Sequence, residues 1–279
     1  MKPAIVIQTD FGPGGGGAMR GTIKKVDSEL EVYEASHEID KFNVRAASRS
    51  LNFAVPYWPQ GTVFVSVIDP GVGTARKASV ALLNNGSYIV TPDNGALTEV
   101  DETIGVKAVR KIDEKRNRLK GTEKVSIFHG RDLFAYCAAK LASGIIDFEG
   151  VGEEYPVSEI VKFDPLGYRV YMGRVTGFAT DMMRTFGNLE TSIPIEAAEK
   201  AGLKVGENVR VSIMHGGETV VDRLVPYKPS FGWVGLGDEV VYNSSDGVIG
   251  IGINRGNFIN KYKIGFGDSW TVTLKKERG

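Results

Sequence analysis

Ala4-Ile5-Val6-Ile7-Gln8 leads into Thr9-Asp10-Phe11-Gly12, and after Pro13 a run of glycines extends to Gly17. A brief apolar run closed by a glycine-rich turn reads as a buried strand. Residues 18–26 then carry helix-forming side chains, and 31–35 read as a second strand. Working outward, residues 43–55 set Val44, Ala47, Leu51, Ala54 and Val55 at helical spacing, and 62–68 form a β-branched strand. Residues 78–83 and 88–91 flank Asn84-Asn85-Gly86 as a hairpin, 106–109 read as a further strand, and 131–143 are Ala-rich and helical. Strands alternating with helices predict an α/β fold with a mostly parallel sheet.

From Tyr168 the pattern changes to short alternating runs at 169–175, 208–214, 219–224, 239–242, 248–253 and 269–274. His215-Gly216-Gly217 and Ser245-Asp246-Gly247 separate some of them, and only 195–201, after Pro194, reads as helix. Short strands with glycine turns predict a smaller all-β, barrel-like domain. The expected organisation is an N-terminal α/β domain over residues 1–160 and a C-terminal β domain over 167–279. The polar segment 147–166, with its glycines and prolines, holds the boundary.

Composition excludes several classes. Lys and Arg number 34, against 34 Asp and Glu, so no basic footprint argues for nucleic acid. The N-terminal apolar run is too short for a signal peptide, and no run approaches the ~18 residues of a membrane helix. The single cysteine, Cys137, cannot form an internal disulfide and is expected in the core of an Ala-rich helix. A cytoplasmic protein is expected. His37, His129 and His215 are scattered without paired spacing, so no metal site is expected.

Gly12-Pro13-Gly14-Gly15-Gly16-Gly17 satisfies G-x-G-x-x-G between a strand and a helix, and Glu34 lies where a ribose-binding carboxylate would stand. In a glycine-rich hexamer such a match is cheap, and Pro13 removes a backbone donor. The readings are a dinucleotide site, a plain turn, or a site using Asp10 just before the glycines. Asp10 ends the first strand, where open α/β sheets place ligand contacts. A carboxylate there can accept from both hydroxyls of a ribose, or serve as a turn or capping aspartate.

Two further segments bring polar side chains to loop ends. Asp69-Pro70-Gly71-Val72-Gly73-Thr74-Ala75-Arg76 leaves a strand. Ile127-Phe128-His129-Gly130-Arg131-Asp132 leaves an apolar run, which sets His129 at an expected strand end before a helix. Taken singly, Asp69 and Arg76 fit a structural ion pair, and His129 fits a satisfied structural histidine. Asp93-Asn94-Gly95 reads most simply as a turn.

Six motifs in order carry a more specific signal. They are Thr9-Asp10-Phe11-Gly12, Asp69 to Thr74 with Arg76, Thr91-Pro92-Asp93-Asn94-Gly95, Phe128-His129-Gly130-Arg131-Asp132-Leu133-Phe134-Ala135, Phe186-Gly187-Asn188-Leu189, and Asn243-Ser244-Ser245-Asp246-Gly247. Together they resemble the S-adenosylmethionine hydroxide adenosyltransferases, relatives of the fluorinating and chlorinating enzymes, from residue 9 to about residue 258. The resemblance implies hydrolysis of S-adenosyl-L-methionine to adenosine and methionine, with Asp69, Arg76 and His129 as the water-activating triad. It implies ribose binding by Asp10, adenine stacking by Phe186 and Phe231, a methionine contact by Asn188, and Ser245 in a binding motif. It further implies a homotrimer with active sites at subunit interfaces, and no cofactor. His37, in Ser36-His37-Glu38-Ile39, matches a family motif and is read as structural.

The chemistry agrees with that resemblance. A sulfonium leaves as a neutral thioether, so no general acid is required, and the hard step is delivery of water. Arginine stays protonated and so acts electrostatically, with His129 and Asp69 orienting the water and taking its proton. Two departures stand out. Glycines replace the family's Asp-x-Tyr-Val-Gly stretch, and the Asp that closely precedes Phe-Gly-Asn in the family is here Asp181, five residues before Phe186. The rival readings are a halide-dependent transferase, an adenosine-binding module without turnover, and a nicotinamide oxidoreductase.

Overall fold

Side chains alternate across a strand, and the first strand shows what that does here. In the computed structural model, which describes residues 2–183 and 186–277, β1 (Ile5–Thr9) is buried throughout. Ile5 and Ile7 pack with Met19 and Ile23 of α1 (Gly17–Val26) and with Leu133 and Phe134. Val6 packs on the opposite face with Leu51 of α2 (Val44–Ala54) and Val100 of α3 (Thr98–Thr103). Apolar residues on both faces of one strand produce three layers, helix on sheet on helix.

The sheet is completed by β2 (Val32–Ser36), β3 (Val63–Val67), β4 (Ala78–Leu83), β5 (Tyr88–Pro92), β6 (Val106–Lys111) and β7 (Glu154–Tyr155). Its order is β2-β1-β3-β5-β4-β6-β7. β2, β1, β3 and β5 run parallel, whereas β4, β6 and β7 pair antiparallel, so the sheet is mixed. The tight turn at Asn84-Asn85-Gly86, with Gly86 at φ +83°, turns the chain straight back from β4 to β5 and fixes the antiparallel edge. α4 (Glu114–Asn117) and α5 (Tyr136–Ala142) follow. α5 is preceded by a π-helical turn, Gly130–Ala135, where a continuous helix over 131–143 was expected. The predicted strand end before His129 is absent; Val125 and Ile127 are exposed and the segment is irregular. Its apolar residues alternate with Ser126 but find no strand to pair with.

The chain divides into Met1–Phe163 and Asp164–Gly279. The second unit carries β8 (Arg169–Tyr171), β9 (Arg174–Met183), β10 (Asn188–Pro194), α6 (Ile195–Lys200), β11 (Asn208–His215), β12 (Glu218–Pro226), β13 (Glu239–Asn243), β14 (Val248–Ile253), α7 (Phe258–Tyr262) and β15 (Gly267–Lys276). Its strands pair antiparallel in the order β12-β11-β15-β9-β10-β14-β13, with β8 on β9. Tyr227, just past β12, bridges Val241 of β13, which brings the two edges together and nearly closes a barrel. The expected strand over 169–175 is in fact a hairpin turning at Gly173, whose φ of +73° suits glycine. Among the described residues no helix is long and apolar enough to cross a membrane.

Candidate active site

The loops after β1 and β3 bring the first polar residues together at the carboxyl ends of the parallel strands. Asp10 follows β1 directly, and its Oδ2 accepts from the Phe42 backbone N–H at 3.0 Å. Phe42 holds φ +65°, a strained value for a bulky residue, just before Asn43 caps α2 through Ala46 N–H. Thr9 Oγ1 accepts from Phe11 N–H and lies 2.8 Å from His37 Nδ1. His37 Nε2 stands 3.1 Å from Glu34 Oε2, within electrostatic reach though not aligned as a hydrogen bond. Glu34 also pairs with Arg20. Thus Glu34, the carboxylate that would have bound a dinucleotide ribose, is engaged by Arg20 and His37 of this chain.

The glycine run has a packing explanation. A Cβ on Gly15 would lie 2.3 Å from Phe11 Cβ, and one on Gly16 would lie 2.3 Å from His37 Nε2. The run lets the chain pass over the Thr9–His37 contact, and no ligand need be invoked for it.

Asp69, Arg76 and His129 converge. Arg76 Nε donates to both Asp69 oxygens at 3.0 Å, and Nη2 donates to Oδ2 at 2.5 Å. The same Nη2 lies 2.9 Å from His129 Nδ1. The guanidinium also sits 5.2 Å from the centroid of the Phe134 ring. His129 is 6% exposed, and both members of the ion pair are largely buried. Burial, then the charge of Arg76, hold the imidazole below its usual pKa, with Glu114 and Asp69 acting in the opposite sense. Arginine can only donate, so Nδ1 must accept and the ring proton resides on Nε2. In this arrangement the imidazole is neutral and a donor; proton abstraction by Nδ1 would require the Arg76 contact to break. Asp69 carries the carboxylate oxygens that could accept a proton without breaking the Arg76–His129 contact.

A pocket of about 320 Å³ joins Asp69 and His129 to Asp10, at the small end of the range for small-molecule sites. Asp10, Asp69 and His129 line it, together with Phe11, Lys41, Phe42, Val72, Ile127 and Phe128. The aromatic and apolar walls escaped the sequence reading. Phe42 carries no sequence mark, since a left-handed conformation is usually signalled by Gly or Asn. Cys137 is wholly buried and its thiol is pushed up to about 12, which leaves it unreactive.

The second unit holds the remaining candidates. Asn188 is 3% exposed, and Phe231 stacks obliquely on Tyr242 at 4.6 Å between centroids. The two meet at Gly252, where a Cβ would stand 2.5 Å from Asn188 Oδ1 and 3.0 Å from Phe231 Cε1. Two residues along β10, buried Glu190 accepts from Ser244 Oγ. Sequence reasoning passed over this carboxylate; its shared strand face with Asn188 was the available signal. Phe186 is 64% exposed at the turn before β10, and Ser245 is exposed, with its Oγ donating to Asp246 Oδ1. Asp181 lies on β9 opposite Glu190, and its side chain falls outside the described residues. Among the described residues, no group of three or more His, Cys, Asp or Glu is placed to hold a metal.

A mixed α/β unit whose loop after β3 meets His129 in a largely buried carboxylate–guanidinium–imidazole cluster, followed by a nearly closed antiparallel barrel, defines the class. Residues 5–152 match the profile of the SAM hydroxide adenosyltransferase N-terminal domain, and residues 183–271 that of its C-terminal domain. The chain belongs to the SAM hydroxide adenosyltransferase family. It is 36% identical to the (R)-S-adenosyl-L-methionine hydrolase of Methanocaldococcus jannaschii over 76% of this chain and 73% of that protein. It is 27% identical to the fluorinase of Actinopolyspora mzabensis over 98% of this chain and 97% of that one. A solved Thermotoga maritima structure, titled an uncharacterized conserved protein, superposes with a TM-score of 0.83 at 32% identity, over 98% of this chain and 100% of that one.

Proposed function

We propose that this chain is an S-adenosyl-L-methionine hydrolase that forms adenosine and L-methionine, acting on the (R) sulfonium epimer named in its hydrolase relatives. The observation that carries this reading is the convergence of Asp69, Arg76 and His129 beside a pocket that also contains Asp10. Asp10 accepts from the ribose hydroxyls. Arg76 and the Nε2–H of His129 supply donors that hold a water molecule in line behind the 5′ carbon. As the water oxygen bonds to that carbon, the C–S bond breaks and its electron pair goes to sulfur, giving neutral methionine thioether. The new alcohol is first formed protonated, and that oxonium proton is acidic enough for the Asp69 carboxylate to take it. The balance is one water consumed, one proton released to solvent from Asp69 and no electrons exchanged, so the reaction draws on no cofactor.

In the same proposal Phe186 and Phe231 stack the adenine, Asn188 contacts the methionine portion, and Ser245 and Asp181 contribute to substrate binding. A homotrimer with active sites at subunit interfaces and a cytoplasmic location belong to the same proposal. The test incubates the protein with each sulfonium epimer separately, with and without chloride or fluoride, and measures methionine, adenosine and any 5′-halogenated adenosine. Adenosine and methionine without halide support the reading. A halogenated product would transfer the chain to the activity named in its fluorinase relatives, and tight adenosine binding without methionine release would make it a binding protein. Sedimentation velocity measures the assembly.

A further inference from the structure

His129 is reached through residues 118–128, which contain neither helix nor strand. An irregular, largely exposed loop is a poor platform for a group that must meet Arg76 within hydrogen-bond distance. What holds the loop is the guanidinium of Arg118, 10% exposed although it lies among exposed neighbours. Its Nη1 donates to Glu114 Oε2 at 2.7 Å. Its Nη2 donates to the carbonyl of Thr122 at 3.2 Å and to that of Val125, and its Nε donates weakly to Thr122 Oγ1 at 3.4 Å.

Both ends of this clamp are anchored. Next to it, wholly buried Asn117 donates to the carbonyls of Gly150 and Val151 and accepts from Lys140 Nζ. Leu119 N–H donates to the Asp132 carbonyl at 2.8 Å, tying the start of the loop to the turn beyond His129. Beyond Val125, Ser126 abuts the other half of the cluster: a Cβ on Gly73 would stand 2.9 Å from the Ser126 carbonyl oxygen. Gly73 lies between Asp69 and Arg76, so the position of Ser126 sets how the two loops meet.

We infer that Arg118 is a positioning residue for His129: by binding the Thr122 and Val125 carbonyls it seats Ser126 against Gly73 and brings the imidazole onto Arg76. This inference rests on the hydrolase reading above. A planar fork that reaches two carbonyls and a carboxylate at once is a task for arginine and not for lysine. Arg118 also contributes charge. The charged groups facing His129 are Asp69 and Arg76 from the loop after β3 and Glu114 and Arg118 at α4, while Asp10 and Lys41 line the same pocket. Arg118 acts to keep the imidazole unprotonated and Glu114 acts the other way. Removing the Arg118 charge therefore raises the pH at which His129 gains a proton, and removing the Glu114 charge lowers it.

The experiment compares Arg118→Gln, Arg118→Lys and Glu114→Gln in the full chain, with kcat, KM for the (R) epimer, adenosine affinity, pH–rate profile and thermal midpoint. Both Arg118 variants are expected to lose kcat by about 100-fold, the cost of a misplaced catalytic group, with KM and adenosine affinity within about twofold. The acid limb of the profile should move up in Arg118→Gln, stay in place in Arg118→Lys, and move down in Glu114→Gln. Full recovery of kcat in Arg118→Lys, or Arg118→Gln with kcat within about twofold and an unmoved limb, overturns the inference. If neither Arg118 variant folds, Glu114→Ala, which removes the carboxylate that holds Arg118 Nη1, asks the same question from the other end of the clamp. Loss of kcat at constant KM there supports the inference, and unchanged kcat overturns it. His129→Ala separates the two levels of failure. An active His129→Ala removes the triad assignment itself, whereas an inactive one beside a fully active Arg118→Gln removes only the role of Arg118.

Discussion

The Asp69–Arg76–His129 cluster and the group of Phe186, Asn188, Phe231 and Ser245 are built on opposite plans. In the first, every side chain is largely buried and bonded to another member, so its geometry is set before any substrate arrives. In the second, Asn188 is buried but Phe186 and Ser245 stand exposed. On the proposed hydrolase reading, the contrast separates two duties. Groups that orient a nucleophile gain from rigidity because reorganisation at the moment of reaction is costly. Groups that stack on a base gain from being accessible, and the ligand itself completes their packing.

That contrast can be broken in several ways. The largest effect is expected from Arg76→Gln, which should lower kcat about 1,000-fold while adenosine affinity stays within about tenfold. Loss of both in parallel, by steady-state kinetics and calorimetry, would erase the distinction between the two groups. Next, Asp69→Ala leaves a largely buried guanidinium without its carboxylate and should destabilise the fold by about 3 kcal/mol in denaturant titration. Phe186→Ala should raise KM by about tenfold, the worth of one stacked ring, with kcat changed far less. The pH dependence is gentler. Because burial and Arg76 lower the pKa of His129, the neutral ring persists below pH ~6.5, and activity should fall only beneath that value. The sign for stability is the same: below about 6.5 the unfolded chain binds the proton more readily, so stability declines as pH falls toward the lowered folded value. The smallest effect should be the stability of Phe186→Ala, within about 0.5 kcal/mol of the parent for so exposed a ring.

Regular alternation made much of the fold legible. β1, α1, α2, β3 and the β4–β5 hairpin are continuous apolar or periodic segments, and they lie where their patterns place them. β10 was not anticipated because its Asn188–Glu190 face is polar and buried, the reverse of the usual pattern. The 169–175 segment read as one strand because Gly173 alone marks the reversal, without a second turn residue beside it. In the site, Asp10, Asp69 and His129 share one pocket and Arg76 bonds two of the three. The sequence could not show which nitrogen of His129 faces Arg76, nor that Phe42 reaches back to Asp10, because both depend on loops with no periodicity. The role of Arg118 was likewise invisible, since its partners are backbone carbonyls that any residues would supply.

The π-helical turn Gly130–Ala135 accommodates one residue more than an α-helical turn would. Relative to an uninterrupted continuation of α5, everything before it is rotated by roughly 100°, the angular step of a single residue in an α-helix. The direction in which the imidazole points is thus encoded by residue count as well as residue type. Excising one residue from this turn would swing His129 off the guanidinium while every named side chain remained in the chain.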